Sequence, residues 1–553
     1  MPITYYRPNQ EKNPEIEGRM DMETDTNSKN SKVLNRQPKT VNWALLGNID
    51  PYVFIISALL AVGFLLWGVV DSEGLSHVSN TILDYIIQQW GWLFIVGILF
   101  FLLFCLYLAF SRYGDIKLGG QDTLPEYSTF SWFAMLFGCG MGVGLVFWSI
   151  AEPINHFLNP PAYVNALSPS QSAEWSLAIS FFHWGLSAWA SFVLIGLAMG
   201  VIIFRNKMPM LLSSCFYPLL GDRIYGPIGK LIDIITLWAS LFGMTTTIGL
   251  GTKQLAAGVT YNYGIPQGIP LLLGILAIVI ICYLISACTP NLKGIKIGSD
   301  LSLIATGGLL LFVFLFGPTK FIMDMFVNST GVYIQNFFAM SLWTDPIEQS
   351  GWLGSWTIFY WAWWIAWAPF VGMFIAKISK GRTIKEFVLG ALIAPTLLDM
   401  IFFGIFGGTS LSFELNQVSQ GILANAINVD ISSAVFVLFE QFPFREITSL
   451  ILIFVIFTFF VVSADSCTIV LGMLSSGGNE NPRIPLKLFW GIAMGAAAGL
   501  LLMLGDGGLD ALQMASILGG FPFLFIMFAI CYSIIKTLRR EKSTNLVGIR
   551  ERN

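Results

Sequence analysis

Long apolar runs separated by short polar segments fill the chain from residue 51 to residue 536. Crossing about 30 Å of hydrocarbon takes roughly twenty helical residues. Runs of that length fall at about 51–71, 89–111, 129–150, 174–204, 228–259, 267–288, 299–318, 355–378, 386–409, 446–474, 484–505 and 512–536. Only helices and closed barrels satisfy their own backbone groups in lipid, and runs this long and apolar are helical. The pattern predicts an all-α polytopic membrane protein of about twelve spans, with Gly or Pro inside several runs marking broken helices.

Two apolar segments are expected not to cross: 330–343, an interfacial helix, and 413–440, a longer loop with helical character. Residues 1–45 are polar and mixed in charge, unlike a cleavable leader, and are expected to form a disordered cytoplasmic tail. Residues 46–536 then form one fused bundle, and 537–553 a short basic tail.

Charge sets the orientation. The connections 72–88, 151–173, 321–354 and 506–535 contain no Lys or Arg. The opposite side carries Arg112, Lys117, Arg205, Lys207, Arg223, Lys293, Lys296, Lys377, Lys380, Arg382, Lys385, Arg483 and Lys487. Basic residues stay in the cytoplasm, so both termini are expected there, in the cell membrane. Composition agrees: 55% of residues are hydrophobic and only 11% charged, half or less of a soluble chain's share. A net charge of −3 gives no reason to expect a nucleic-acid partner. The seven cysteines show no ligand spacing and read as small buried hydrophobes, and no metal or cofactor is expected.

Three stretches carry candidate chemistry. In "FGCGMGVGLVFWSIAEP" (137–153), Gly138, Gly140, Gly142 and Gly144 alternate through a span. Each glycine costs a helix about 1 kcal/mol relative to alanine, so the row favours unwinding, and unwound backbone can bind a carboxylate or a cation. The same residues make two GxxxG pairs, which serve close helix packing. In "FFHWGLSAWASF" (181–192), a helix would set Trp184, Trp189 and Phe192 within an arc of about 140°. In "YWAWWIAWAPF" (360–370), Trp364 shares a face with Tyr360 and Trp367, and Trp363 with Trp367 and Phe370. An interfacial belt explains one or two such rings. Several electron-rich rings at depth also form a receptor for a quaternary ammonium, worth about 2 kcal/mol or more when desolvated.

These stretches, together with "GSWTIFYWAWWIAWAPFVGMFIAKISKGRTIKEF" and "FFVVSADSCTIVLG", resemble the betaine–choline–carnitine transporter family from about residue 50 to 536. The resemblance implies a LeuT-type fold: inverted repeats over about 129–318 and 355–536, preceded by two additional helices. It implies alternating access by a homotrimer embedded in the bilayer. By motif, Trp184, Trp189 and Trp364 match the box around the trimethylammonium, and Phe192 stands where sodium-coupled betaine carriers have tyrosine. Trp363 and Trp367 match positions along the pathway. Met141, Gly142 and Gly144 match the backbone facing the substrate carboxylate. Proton-coupled choline carriers have aspartate where Gly144 stands, so zwitterions such as glycine betaine or carnitine suit this chain better than choline.

The coupling ion is expected to differ. One sodium site of the family uses backbone near Gly138 and Met141 and two hydroxyls, for which this chain has Val462 and Ser463. The other uses threonines where this chain has Ser240 and Met244, and Phe370 belongs to the same ion-site set. Lys296 matches an arginine that fills a vacant sodium site in the family's carnitine exchanger, or it snorkels and pairs with Asp300. Sodium-independent exchange or proton-linked transport is the expectation; a sodium-coupled osmoprotective symporter is the alternative. Titratable groups at depth for proton coupling are Asp465, Glu152 and Lys296. A membrane enzyme built on His183 lacks a nucleophile or a second polar partner at matching depth in the sequence, so no enzymatic activity is expected. The tail with Arg539, Arg540 and Lys542 can touch anionic headgroups but is short for an osmotic sensor.

Overall fold

The computed structural model describes residues 38–140, 142–164, 168–289, 293–416, 421–504 and 509–550; for 137–140, 293–299, 509 and 541–550 it describes the backbone alone. The chain is an all-α membrane bundle. Eleven described helices are long and apolar enough to cross a membrane, or up to 12 with one bent pair counted as a single span.

The chain enters through a hairpin. Strand β1 (Val41–Trp43) pairs antiparallel with β2 (Gly47–Ile49), so part of the expected disordered tail is ordered. Ile49 is buried, and Asp50 donates its backbone N–H to the Ser475 carbonyl, which anchors the hairpin. Asp50 then caps α1 (Pro51–Val70), accepting from the Val53 amide, with Pro51 in the first turn.

Helix α2 (Ser72–Phe110) is far longer than its apolar run, because Asp71 caps it and the polar first turns stay helical. The glycine-rich span is two helices, α3 (Thr129–Gly140) and α4 (Val143–Leu158). Gly142 caps α4 with extended backbone, so unwinding occurs where the glycines alternate. The next span is also broken: α5 (Pro169–Trp184) stops at Gly185, and α6 (Leu186–Ala198) continues through a π-helical turn to Phe204. A continuous helix is therefore not what orients Trp184 relative to Trp189.

Helices α7 (Pro227–Tyr263) and α8 (Ile269–Cys288) follow. Next, α9 (Lys293–Phe316) is followed by α10 (Thr319–Ser341), with a bend of 107° between Asp300–Phe316 and Thr319–Ser341. The segment expected at 330–343 is thus the end of a longer helix lying across α9. A π-helical turn at Gly354–Ile358 leads into α11 (Phe359–Ile378), which carries the tryptophans and runs on past Pro369. Thr383 and Glu386 make a reciprocal capping box for α12 (Ile384–Leu415). Two short helices, α13 (Ile422–Asp430) and α14 (Ala434–Glu440), occupy the loop expected to be helical. Then α15 (Arg445–Ser475), α16 (Ile484–Met503) and α17 (Leu509–Arg550) complete the bundle, the last continuing through the residues expected as a tail.

Burial separates the inner helices from the outer ones. In the spans Gly354–Ile378 and Pro169–Phe204, 94% of the most apolar window is buried, against 28% for Pro51–Val70 and Ile269–Cys288. The aromatic helix α11 packs against α6, α7 and α17 at the centre. Its backbone meets α6 almost directly: a Cβ on Gly372 would lie 2.6 Å from Ile195 Cβ and 3.1 Å from the Gly196 nitrogen. Small residues allow that approach, in the absence of a hydrophobic force between helices in lipid.

Candidate substrate site

The rings singled out on two separate stretches meet. Trp184 lies edge-on to Trp364 at 4.9 Å between centroids, and Phe192 lies edge-on to Trp364 at 6.1 Å. Trp189 joins through Phe192 at 5.5 Å. Trp363 stacks on Trp364 at 4.9 Å, and Trp367 contacts both, extending the row to Phe370. All seven rings are buried, at most 6% exposed. A lipid-interface belt would expose its rings, so burial excludes that reading of the tryptophan run.

The glycine break supplies the floor. A Cβ on Gly144 would lie 2.6 Å from Trp363 Cη2 and 3.2 Å from Trp184 Cη2, closer than real Cβ atoms come in the first case. Only glycine lets α4 begin against those rings, and an aspartate there would displace Trp363. Gly142 is roomier: its Cβ would meet Trp367 Cη2 at 3.5 Å and Ser463 Oγ at 3.8 Å. The N-terminus of α4 therefore lies against these rings, and a helix N-terminus is a natural seat for an anionic group. Met141 lies outside the described residues.

Each cage indole has a fixed acceptor. Trp363 and Trp367 both donate to the Gly243 carbonyl on α7, at 3.3 and 3.1 Å. Trp364 donates to the His183 carbonyl at 2.9 Å, an oxygen near the α5 terminus at the Gly185 break. Trp184 donates to Glu152 Oε2 at 2.8 Å, and Trp189 to Asp399 Oδ2 at 2.8 Å. Both carboxylates are buried.

Glu152 is the centre of a network. Its Oε2 also accepts from the Tyr360 hydroxyl at 2.6 Å, while Oε1 faces His183 Nδ1 at 2.6 Å and His156 Nε2 at 3.2 Å. His183 Nε2 lies 3.0 Å from Thr357 Oγ1. One neutral tautomer of His183 satisfies both contacts, donating from Nδ1 and accepting from Thr357. His183 therefore does have polar partners at its depth, contrary to the sequence reading. They were hidden because they come from α4 and the turn before α11. Glu152, His156 and His183 are also residue types that could hold a divalent ion, with ligand atoms within 4.8 Å of one another. The ring nitrogens facing the group already address Glu152, and its two oxygens accept four bonds, so the set fits a hydrogen-bond network. Asp399 was missed altogether, although a lone carboxylate inside an apolar span is itself a signal.

The ion-site residues are partly assembled. Ser463 Oγ lies 3.8 Å from the place a Cβ on Gly142 would take, which brings α15 beside the start of α4. Val462 is half-buried beside it and brings no side-chain oxygen. Met244 is fully buried one residue beyond the carbonyl that holds Trp363 and Trp367. The hydroxyls of Ser240 and Thr245 nearby are buried without a partner. Gly138 lies in the last turn of α3, and the side chain of Lys296, with its expected pairing, lies outside the described side chains. Asp465 bonds Ser286 through one oxygen. A cavity of about 1100 Å³ lies away from the cage, lined in part by Asn80, Lys253, Asp430 and Asp510.

A profile described as "BCCT, betaine/carnitine/choline family transporter" matches residues 52–543. The chain is 44% identical over 491 residues to a probable glycine betaine transporter of Desulfitobacterium hafniense, covering 88% of this chain and 97% of the relative. It is 40% identical over 500 residues to the glycine betaine transporter OpuD of Bacillus subtilis, covering 90% and 96%. It is also 40% identical over 512 residues to a betaine/ectoine transporter, LcoP, of Corynebacterium glutamicum, covering 91% and 79%.

Proposed function

Because the chain belongs to the betaine/carnitine/choline family of transporters, we propose that it carries a trimethylammonium zwitterion of the glycine betaine type across the membrane by alternating access. The observation that carries this reading is the meeting of Trp184, Trp364, Phe192 and Trp189 over the glycine-only start of α4. Aromatic faces attract the methylated cation, and the amide groups of the α4 first turn receive the carboxylate. A bare cation such as choline has no use for that second half. Carnitine shares both halves; the names of the relatives weigh toward betaine.

The broken helices α3/α4 and α5/α6 meet at the centre of the bundle, which supports a midplane site between two inverted repeats, about 129–318 and 355–536. The carrier works as a homotrimer in the cell membrane with both termini in the cytoplasm; the Lys and Arg pattern supports the orientation.

Transport is sodium-independent, by exchange or linked to protons. Val462 and Met244 support this, since sodium needs hard oxygen ligands and neither side chain offers one. The sodium-coupled symporter has one specific observation in its favour: the unpartnered hydroxyls of Ser240 and Thr245 beside Met244. One experiment addresses both readings. Binding of betaine, carnitine, γ-butyrobetaine, choline and ectoine to purified protein is measured with and without sodium, followed by betaine uptake into proteoliposomes. Betaine binding with sodium-indifferent uptake is expected. Steep stimulation by a sodium gradient rejects the coupling, and preference for choline rejects the substrate.

A further inference from the structure

Two of the cage indoles donate their N–H groups to buried carboxylates: Trp184 to Glu152 and Trp189 to Asp399, each at 2.8 Å. The other three cage tryptophans donate to backbone carbonyls instead. Trp184 and Trp189 are also the two that arrive from either side of the Gly185 break, where no continuous helix holds their relative angle.

An indole N–H bonded to a carboxylate is polarised: electron density moves into the ring, and its face becomes more negative. The carboxylate also adds its own field, weakly screened in a buried site. Glu152 is well suited to hold that charge. Two oxygens accept from Trp184, Tyr360, His183 and His156, and the His183 tautomer fixed by Thr357 needs no positive charge to make its bond. Asp399 accepts from Trp189 through Oδ2, while Oδ1 is buried without a partner. An isolated carboxylate is costly in such a site, so Asp399 serves Trp189 as a hydrogen-bond acceptor rather than as a charge.

We propose that Glu152 is a positioning and specificity-determining residue that supplies, from behind the rings, the negative potential by which the cage selects a cationic headgroup, while Asp399 positions Trp189 alone. The inference rests on the betaine reading and adds to it the source of the charge selectivity. Glu152 holds Trp184 and Tyr360 directly, and bonds the side chain of His183, whose carbonyl holds Trp364.

The test compares glycine betaine with tert-butylacetate, its isostere with a quaternary carbon in place of nitrogen. Both are measured by equilibrium binding to the full-length transporter, as wild type, Glu152→Gln and Asp399→Asn. Asn at 399 keeps an acceptor for Trp189. Glu152→Gln is expected to bind betaine five- to tenfold more weakly while its affinity for tert-butylacetate changes by less than about twofold, and Asp399→Asn to change neither affinity by more than about twofold. The proposal is overturned if Glu152→Gln keeps the wild-type betaine affinity, or if it weakens both ligands equally, which marks a purely structural role. If Glu152→Gln fails to fold, Trp184→Phe, which keeps a ring and removes the N–H bond to Glu152, is read by the same two outcomes. Wild-type protein that binds no betaine overturns the substrate assignment rather than this inference.

Discussion

Gly144→Ala isolates the closest contact in the site. The new Cβ would sit 2.6 Å from Trp363 Cη2 and 3.2 Å from Trp184 Cη2, so at least one indole has to move by about an ångström to reach ordinary contact. Trp363 is pinned by its bond to Gly243 and stacked on Trp364, and Trp184 by its bond to Glu152, so neither swings freely. Overpacking of this kind costs about 1–3 kcal/mol, and if it is felt in the loaded cage, betaine binding weakens by roughly 5- to 150-fold. Gly142→Ala is the internal control: its Cβ would meet Trp367 at 3.5 Å, an ordinary distance, and its backbone is extended rather than left-handed. Affinity is read by betaine-induced change in tryptophan fluorescence, with thermal melting to confirm folding. The reasoning is refuted if Gly144→Ala binds betaine within twofold of wild type, or if Gly142→Ala is the more damaging of the two.

Three further outcomes follow from the same geometry. Trp364→Ala removes a wall and the bond to the His183 carbonyl; losing a desolvated cation–π contact of about 2 kcal/mol should raise the betaine KM about 30-fold while the protein stays monodisperse. Val462→Thr combined with Met244→Thr adds hydroxyls beside Ser463 and Ser240, and proteoliposome uptake should then respond to a sodium gradient; uptake that stays indifferent shows that other features keep sodium out. Gly372→Ala forces α11 off α6 and should lower the melting temperature in detergent, at a cost of about 1–3 kcal/mol. Gly274→Ala, whose Cβ would meet nothing within 4 Å, should leave it unchanged.

The spans were legible because lipid imposes a length and a composition that survive any packing arrangement. The tryptophan cluster was legible as chemistry because its density exceeds what an interface needs. The break after Gly140 could be read because glycines repeated through it, whereas the break at Gly185 rests on a single glycine between two aromatic stretches. Periodicity assumed one helix across it, whereas Gly185 interrupts the helix between Trp184 and Trp189; the rings meet because α11 supplies the opposite wall. The hydrogen-bond partners were out of reach for a different reason. Trp189 and Asp399 lie 210 positions apart, and no local pattern links an indole to a carboxylate across that distance. Residues 41–45 misled in the opposite direction, since the short hairpin they open is held by other parts of the chain: the Ser475 carbonyl, Arg483 and Phe54.

The Gly243 carbonyl receives three side-chain donors: the indoles of Trp363 and Trp367, and the Thr247 hydroxyl at 3.2 Å. Two cage rings are thus tied to one atom of a neighbouring helix, and one residue further along that helix lies the buried Met244. A movement that parts α11 from α7 breaks both indole bonds at once, about 0.5–1.5 kcal/mol each. The pair behaves as a catch with two prongs: it holds the cage shut against partial opening and releases in a single step. For a carrier this sets a kinetic preference. Half-open arrangements of the two rings are disfavoured, and the position of both rings depends on α7.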